Sequence, residues 1–284
     1  MRHCLGLLAV VVATGCPGPT QPSPTVQPEV RAPEIDPGGA LVEEPPPIET
    51  GPLVVCGQEV ARDVAELECP RETTDADLKD LAGLTELAVL ELGFTRVSDA
   101  GLSALGGLGQ LKKLSLRATR VTDAGLAPLA RLTNLETLDL DDTRVTDATL
   151  QAVAGLADLE SLFLGKSAVT DAGLEHLSGL TKLRRLWLNN TQITDAGLSH
   201  LAGLTLLEEL YLHDTQLAGD GLKHLRGLLQ LRILPLSDTD VTDAGLGHLV
   251  GLTELIIVDA RNTRVTNVGA TKLKAALPRC QLYH

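Results

Sequence analysis

Aromatic residues are scarce in this chain. Its 284 residues include only two phenylalanines, one tryptophan and two tyrosines, although 44% of all residues are hydrophobic. A core must therefore consist of aliphatic side chains, chiefly leucine. Such a core suits a stack of thin layers better than a globule whose layers are filled by rings.

Positive charge is also in short supply. The chain has 24 lysines and arginines against 37 aspartates and glutamates, a formal net charge of −13. Binding to nucleic acid requires a basic stripe that neutralises phosphates, so we predict no nucleic-acid partner. Direct electrostatic attraction to an anionic membrane is excluded for the same reason. The acidity favours solubility, and we expect a monomer.

Patterns typical of catalysis and of metal binding are missing as well. The five cysteines form no Cys-x-x-Cys pair, which argues against a zinc site. There is no glycine-rich phosphate loop. Ser199 and His200 are adjacent on a predicted helix and therefore cannot face each other. We predict no enzymatic activity, no catalytic residues, no cofactor and no metal.

The first 15 residues have the pattern of an export signal. A short positive segment precedes an apolar run from Cys4 to Ala13, which at about ten residues is too short to span a bilayer as a helix. The Ala-Thr-Gly-Cys sequence at 13–16 resembles the signal of bacterial lipoproteins, which implies that Cys16 is lipidated and becomes the new N-terminus. Ala13 departs from the leucine that this family more often carries. An ordinary secretory signal is the alternative.

Residues 16–52 have a different composition from the rest of the chain. They contain eleven of the 15 prolines, with glutamate and threonine between them. Such a segment cannot bury apolar surface, so we predict a disordered tether with partial polyproline II character. It would hold a folded domain away from an anchor, although a linker without specific function fits equally.

Leucines recur in one frame with a period of 24 residues (135 − 111 = 24). The pattern Leu-x-x-Leu-x-Leu holds for seven copies between Leu87 and Leu236 and weakens in an eighth, at Leu255, Val258 and Ala260. Alternation within Leu-x-Leu points both leucines to one face of a strand. The Ala-Gly-Leu steps that follow indicate a short helix. A strand and a short helix bury their leucines only when copies stack.

Two polar ladders share this period. One contains Thr95, Thr119, Thr143, Ser167, Thr191, Thr215, Thr239 and Thr263, and the other contains Asp99, Asp123, Asp147, Asp171, Asp195 and Asp243. Gly219 breaks the second ladder, and Asn267 fills its last place. A residue type present in every copy indicates a structural role: the threonine hydroxyl satisfies backbone groups in a turn, and Thr122 or Asp123 caps the helix.

The repeat, of the type LxxLxLxxTxVTDAGLxxLxxL, resembles the leucine-rich repeat, here in a bacterial lipoprotein. The resemblance implies an α/β solenoid with a curved parallel β-sheet on the concave face and short helices on the convex face. We expect an N-terminal cap with a degenerate repeat at 53–84, and repeats with a C-terminal cap at 85–284. The end segment containing Leu273, Leu277 and Cys280–Tyr283 predicts a final helix and edge strand, with Cys280 buried.

Cys56 and Cys69 flank the start of the N-terminal cap. In an oxidising compartment they would form a disulfide bond that closes a 13-residue loop and stabilises the cap. Free buried thiols are the alternative.

The candidate binding site is a column of rings among the exposed strand positions. Phe163, Trp187 and Tyr211 occupy the same position in three consecutive repeats, and they are three of only five aromatic residues. Rings on adjacent strands would form an apolar ridge for a protein or glycan. Mutual stacking of strand-forming residues is the alternative. Polar residues flank the ridge, namely Arg185, Asn189, Glu209 and His213.

Three other groups of residues have weaker functional interpretations. A histidine ladder suggests metal binding or pH sensing, but helices lie about 10 Å apart and favour solvated side chains instead. An arginine ladder suggests anion binding, and three aspartates suggest calcium binding. An ordinary charged surface explains both. The histidine ladder consists of His176, His200, His224 and His248. The arginine ladder consists of Arg96, Arg120 and Arg144, and the aspartates are Asp139, Asp141 and Asp142.

Together these patterns predict a non-enzymatic binding module that is exported and displayed at the bacterial cell envelope. We expect a protein or glycan on the concave face and contact with the membrane only through lipidated Cys16. The Val-Thr-Asp-Ala-Gly-Leu motif also resembles repeats in F-box-type substrate adaptors, although the chain contains no F-box and carries an export signal. A purely structural envelope role is the remaining alternative.

Overall fold

The computed structural model describes residues 52–284. The predicted signal, lipidation site and nearly all of the predicted tether, residues 1–51, lie outside the described residues. The described part begins with an antiparallel hairpin of β1 (Leu53–Val55) and β2 (Gln58–Val60). A disulfide joins Cys56 to Cys69, whose Cα atoms are 5.4 Å apart. This is the pairing that the sequence analysis weighed against free thiols.

A single ten-stranded sheet forms the rest of the described β-structure. Each strand pairs in parallel with the strand of the next repeat, in chain order from one edge to the other. The strands are three residues long: β3 (Glu66–Glu68), β4 (Val89–Glu91), β5 (Lys113–Ser115), β6 (Thr137–Asp139), β7 (Ser161–Phe163), β8 (Arg185–Trp187), β9 (Glu209–Tyr211), β10 (Ile233–Pro235), β11 (Ile257–Asp259) and β12 (Gln281–Tyr283).

Short helical segments alternate with these strands. The α-helices are α1 (Asp147–Val153), α2 (Asp171–Leu174), α3 (Asp243–Leu246) and α4 (Asn267–Ala276). The remaining segments are 3-10 helices, at Asp75–Leu78, Leu81–Gly83, Gly101–Gly107, Asp123–Arg131, Glu175–Leu177, Gly197–Leu201, Asp220–Gly227 and Gly247–Leu249. Helix α4 and the edge strand β12 end the chain, and Cys280 between them is buried as a free thiol.

The leucine frame is in register through the stack. Leu114 pairs with Leu138, and Leu138 pairs with Leu162, on three neighbouring strands. All three side chains are completely buried. Each repeat therefore hides its apolar side against the next repeat, and the predicted fold class, an α/β leucine-rich-repeat solenoid, is confirmed.

The threonine ladder satisfies backbone carbonyl groups, as the sequence predicted. Thr119 Oγ1 donates to the carbonyl oxygen of Leu116 at 2.6 Å, and Ser167 Oγ donates to that of Leu164 at 2.6 Å. The same bond, three residues back along the chain, recurs in the other copies of the ladder. The ladder is a structural element of each turn.

The aspartate ladder links neighbouring repeats. Thr122 caps its own helix, since its Oγ1 accepts a hydrogen bond from the Ala124 N–H at 3.3 Å. Asp123 was the other candidate for this cap, but its carboxylate accepts hydrogen bonds from Thr146 of the following repeat. The two members of the Thr-Asp pair therefore have different roles, one within a repeat and one between repeats.

Candidate functional site

The three predicted rings form one row on the face of the sheet that points away from the core, here called the open face. Phe163 lies opposite Trp187, and Trp187 lies opposite Tyr211, in the register of strands β7, β8 and β9. The ring centroids are 4.8 Å apart in the first pair and 4.6 Å apart in the second. All three side chains are half-buried. We call these three residues the aromatic strip.

Pro235 extends the strip by one strand. Its carbonyl oxygen accepts a hydrogen bond from the Leu212 N–H at 3.1 Å, which places it on the strand next to Tyr211. Ile233 and Ile257 are paired on the same face and are partly exposed. These three residues were not among the predicted site residues. The signal was present in the sequence, because the period of 24 puts all three apolar residues at exposed strand positions.

Two of the predicted polar residues lie side by side along one edge of the strip. Arg185 pairs with Glu209 in the register of β8 and β9. The Arg185 Nε donates a hydrogen bond to Ser161 Oγ at 2.8 Å. The Arg185 side chain therefore reaches toward Ser161 on the neighbouring strand β7.

The other two predicted polar residues, Asn189 and His213, lie along the opposite edge. His213 packs against Tyr211 with ring centroids 6.2 Å apart, and burial lowers the pKa of its imidazole, which favours the neutral form. Asn189 Oδ1, His213 Nδ1 and Trp187 Nε1 are all buried without a hydrogen-bond partner within residues 52–284. Such atoms are costly to leave unpaired, and they cluster at the strip.

A pair of carboxylates adjoins the strip at its N-terminal end. Asp139 lies opposite Phe163, and the Asp141 N–H donates to Asp139 Oδ1 at 3.0 Å. Asp141 is only 5% exposed and accepts a hydrogen bond from the Gly165 N–H at 2.6 Å. Burial and the nearby Asp139 raise the pKa of Asp141 to about 6, despite Arg117 at 3.5 Å. The sequence suggested calcium binding or an ordinary charged surface for these aspartates and did not reveal that Asp141 is buried.

A recess of about 400 Å³ lies beyond this pair. Its lining includes Glu68, Glu91 and Asp139 from three strands, together with Phe94 and Arg117. A lysine on the neighbouring strand, Lys113, forms an ion pair with Glu91 at 2.7 Å. The open face therefore has an acidic part followed by an aromatic part.

The weaker candidate groups are not drawn together into sites. The histidines of the ladder are half-buried and do not converge; His248, for example, contacts the Arg226 guanidinium at 2.6 Å. The three arginines of the second ladder are exposed. Asp142 is exposed beside buried Asp141. Among residues 52–284, no group of three or more histidine, cysteine, aspartate or glutamate residues is arranged to hold a metal ion.

No helix within residues 52–284 has the length and apolar character needed to cross a membrane. The described part of the chain therefore supplies no membrane-spanning helix of its own.

Comparisons with known proteins agree with this architecture. A family profile described as leucine rich repeat matches residues 133–193. Internalin C2 from Listeria monocytogenes is 27% identical with a TM-score of 0.58, over 74% of this chain and 86% of that chain. The plant peptide hormone receptor RGFR1, in complex with RGF2, is 15% identical with a TM-score of 0.52, over 79% of this chain and 34% of that one. No curated protein sequence matches significantly.

Proposed function

We propose that this leucine-rich-repeat solenoid is a non-enzymatic binding module whose open face contacts a protein of the cell envelope. The aromatic strip is the observation that carries the proposal. A chain with only five aromatic residues places three of them in one half-exposed row. Large rings surrounded by polar groups are typical of the residues that dominate binding energy at protein interfaces.

The arrangement of the strip favours contact over simple stacking. Stacking alone accounts for the ring distances, but it does not account for the polar atoms of Trp187, Asn189 and His213 that lack partners. A partner that supplies donors and acceptors there would recover the free energy lost by leaving these atoms unpaired. The guanidinium of Arg185 adds a charged group at the rim.

A glycan is the second candidate occupant. Sugar rings also pack on aromatic faces, and the unpartnered groups at Asn189 and His213 suit hydroxyl groups. We favour a protein because the apolar surface continues over Pro235, Ile233 and Ile257, which offer no hydrogen-bonding side chains to a sugar. Treatment of the bound material with a protease or with a glycosidase distinguishes the two occupants.

The location of the module follows from residues 1–52. The export pattern and Cys16 support a lipid-anchored protein whose proline-rich segment separates the solenoid from the membrane. An exported protein also fits the disulfide between Cys56 and Cys69, because such bonds persist in oxidising compartments. An F-box-type adaptor role would require the chain to remain inside the cell, which the export pattern argues against.

The experiment compares capture of envelope proteins by two triple variants. In the first, Phe163, Trp187 and Tyr211 are replaced by alanine. In the control, alanine replaces three exposed apolar residues elsewhere, namely Leu206, Leu229 and Val268. The proposal predicts that the first variant loses bound protein and that the control retains it. Equal recovery of every bound species by both variants would show that the strip is not the site, and would favour a structural role.

A further inference from the structure

The last position of each strand forms one continuous row across the open face, and the first seven places of this row form two chemically distinct halves. Glu68 lies opposite Glu91, Glu91 opposite Ser115, and Ser115 opposite Asp139. Asp139 then lies opposite Phe163, the first ring of the aromatic strip. Three carboxylates and Ser115 thus occupy the first four places of the row, here called the acidic half, and the aromatic strip occupies the next three places. Pro235 and Asp259 follow in the row.

The acidic half carries an excess of negative charge. Glu68, Glu91 and Asp139 line the recess of about 400 Å³. Within this half, Asp141 adds a fourth carboxylate. The facing cations are Lys113, paired with Glu91, Arg117, close to Asp141, and Arg71, which lies 5.2 Å from the centre of the Phe94 ring. Four carboxylates therefore face three cations, and an occupant with one positive charge would complete the balance.

At the junction between the halves, the side chains of Asn189 and Asp141 cover Gly165. A side-chain carbon at this position would lie 2.6 Å from Asn189 Oδ1 and 2.9 Å from both Asn189 Nδ2 and Asp141 Oδ1. Asp141 Oδ1 already accepts a hydrogen bond from the Gly165 N–H at 2.6 Å. Asn189 Oδ1 has no donor within residues 52–284, so rotation of its amide toward a ligand donor gains a hydrogen bond.

We infer that the open face binds an extended peptide segment of a protein partner, with a lysine or arginine in the acidic recess and apolar side chains on the aromatic strip. This inference rests on the proposed function and specifies the chemistry of the partner. It rests on the continuous row, the excess of carboxylates at the recess and the unpartnered Asn189 Oδ1 at the junction. The net charge of −13 also favours basic partners over acidic ones.

The sheet geometry sets the distance between the basic side chain and the main apolar side chain of the bound peptide. Strands lie about 4.8 Å apart, so Asp139 and Trp187 are separated by about 10 Å and Glu91 and Trp187 by about 19 Å. An extended peptide rises about 3.3 Å per residue. The basic residue and the main apolar residue should therefore be about three to six positions apart in the partner.

Selection from a displayed library of random peptides about 12 residues long tests this inference, since such peptides span the whole row. The immobilised bait is the wild-type chain or one of three variants. The charge variant is Glu91→Gln with Asp139→Asn. Its control is Glu136→Gln with Asp158→Asn, which removes two exposed carboxylates that are also ion-paired but lie outside the row. The third variant is the alanine triple of the aromatic strip.

The inference predicts that wild type and control enrich peptides with a basic residue three to six positions from an apolar one. The charge variant should lose the basic preference, and its affinity for peptides selected on wild type should fall about tenfold or more. Apolar peptides without basic residues, or a basic preference that survives in the charge variant, would overturn the inference and leave the proposed function intact. Enrichment unaffected by the alanine triple, or no enrichment on wild type, would overturn both.

A second variant tests the junction separately. Gly165→Ala displaces the Asn189 and Asp141 side chains, because the added carbon meets the mobile ends of these side chains rather than backbone. The fold should therefore survive while affinity for the selected basic peptides falls. Unchanged affinity in a folded Gly165→Ala variant would show that the cationic side chain does not lie over Gly165, and would contradict this part of the inference.

Discussion

The carboxylate of Asp99 accepts two hydrogen bonds from Thr122, which is 23 residues further along the chain. Oδ1 accepts from the backbone N–H at 2.7 Å, and Oδ2 accepts from the hydroxyl at 2.6 Å. The same double contact recurs between the aspartate of one repeat and the threonine of the next, from Asp123 to Asp243, apart from the repeat containing Gly219. The Thr-Asp motif therefore links neighbouring repeats by hydrogen bonds and also begins a helical segment.

Removal of one of these aspartate–threonine contacts should destabilise the solenoid. In Asp147→Ala, the Thr170 N–H and hydroxyl lose their acceptors, which lie at 2.8 Å and 2.7 Å. We expect the free energy of unfolding, measured by urea denaturation, to fall by about 1.5–3 kcal/mol. The control is Asp158→Ala, which removes an exposed ion pair with Lys182 and should cost under about 1 kcal/mol. Equal losses of unfolding free energy in both variants would contradict a role for Asp147 in linking neighbouring repeats.

The glycine of the motif allows the repeats to approach each other. A side-chain carbon on Gly125 would lie 2.7 Å from the Asp99 Cα, a backbone atom that cannot move aside cheaply. Gly125→Ala should therefore lower the free energy of unfolding by about 1–3 kcal/mol. At Gly106, in the preceding helical segment, nothing lies within 4 Å, so Gly106→Ala should be neutral or slightly stabilising. Equal unfolding midpoints for the two variants would refute the packing argument.

Burial of Asp141 makes stability depend on pH. Its pKa is about 6 in the folded chain against 3.8 for the unperturbed group, so between these values the folded state binds more protons than the unfolded state. The destabilisation that this carboxylate causes at pH 7 is thus relieved as the pH falls toward about 4. Wild type should therefore gain stability relative to Asp141→Asn over that range. A constant difference between the two unfolding free energies would contradict the assignment.

Lipidation of Cys16 is open to direct labelling. Cells grown with a radiolabelled fatty acid should incorporate the label into the wild-type chain and not into Cys16→Ser. Because the remaining cysteines are unchanged in this variant, the comparison isolates one acceptor. Absence of label from the wild type would remove the anchor and leave an ordinary secretory signal as the explanation of residues 1–15.

The sequence predicted those features that repeat. The leucine frame determines which residues face the core, and the register of Leu114, Leu138 and Leu162 follows from a period that never changes. The alignment of Phe163, Trp187 and Tyr211 follows from the same period. The Asp99–Thr122 contact was missed, although Thr122 and Asp123 are adjacent in the repeat and the period of 24 places this threonine 23 residues after the aspartate of the previous repeat.

Features that depend on a departure from the repeat could not be predicted in this way. Asp141 is buried because Gly165, two residues after the end of strand β7, carries no side chain and donates its N–H. The recess depends on differences among neighbouring repeats rather than on their shared pattern. A residue with left-handed backbone geometry also recurs every 24 positions. Aspartate and asparagine favour this geometry, so Asp142 and Asn190 indicate it in the sequence, whereas Phe94 and Lys166 do not.

Site-specific photocrosslinking on intact cells tests the central claim most directly. A photoreactive phenylalanine analogue replaces Tyr211 on the open face in one strain, and exposed Leu229 outside that face in another. We predict that the position of Tyr211 captures a distinct partner protein that the position of Leu229 does not capture. The same species captured equally from both positions, or from that of Leu229 alone, would contradict the assignment of the open face as the binding surface.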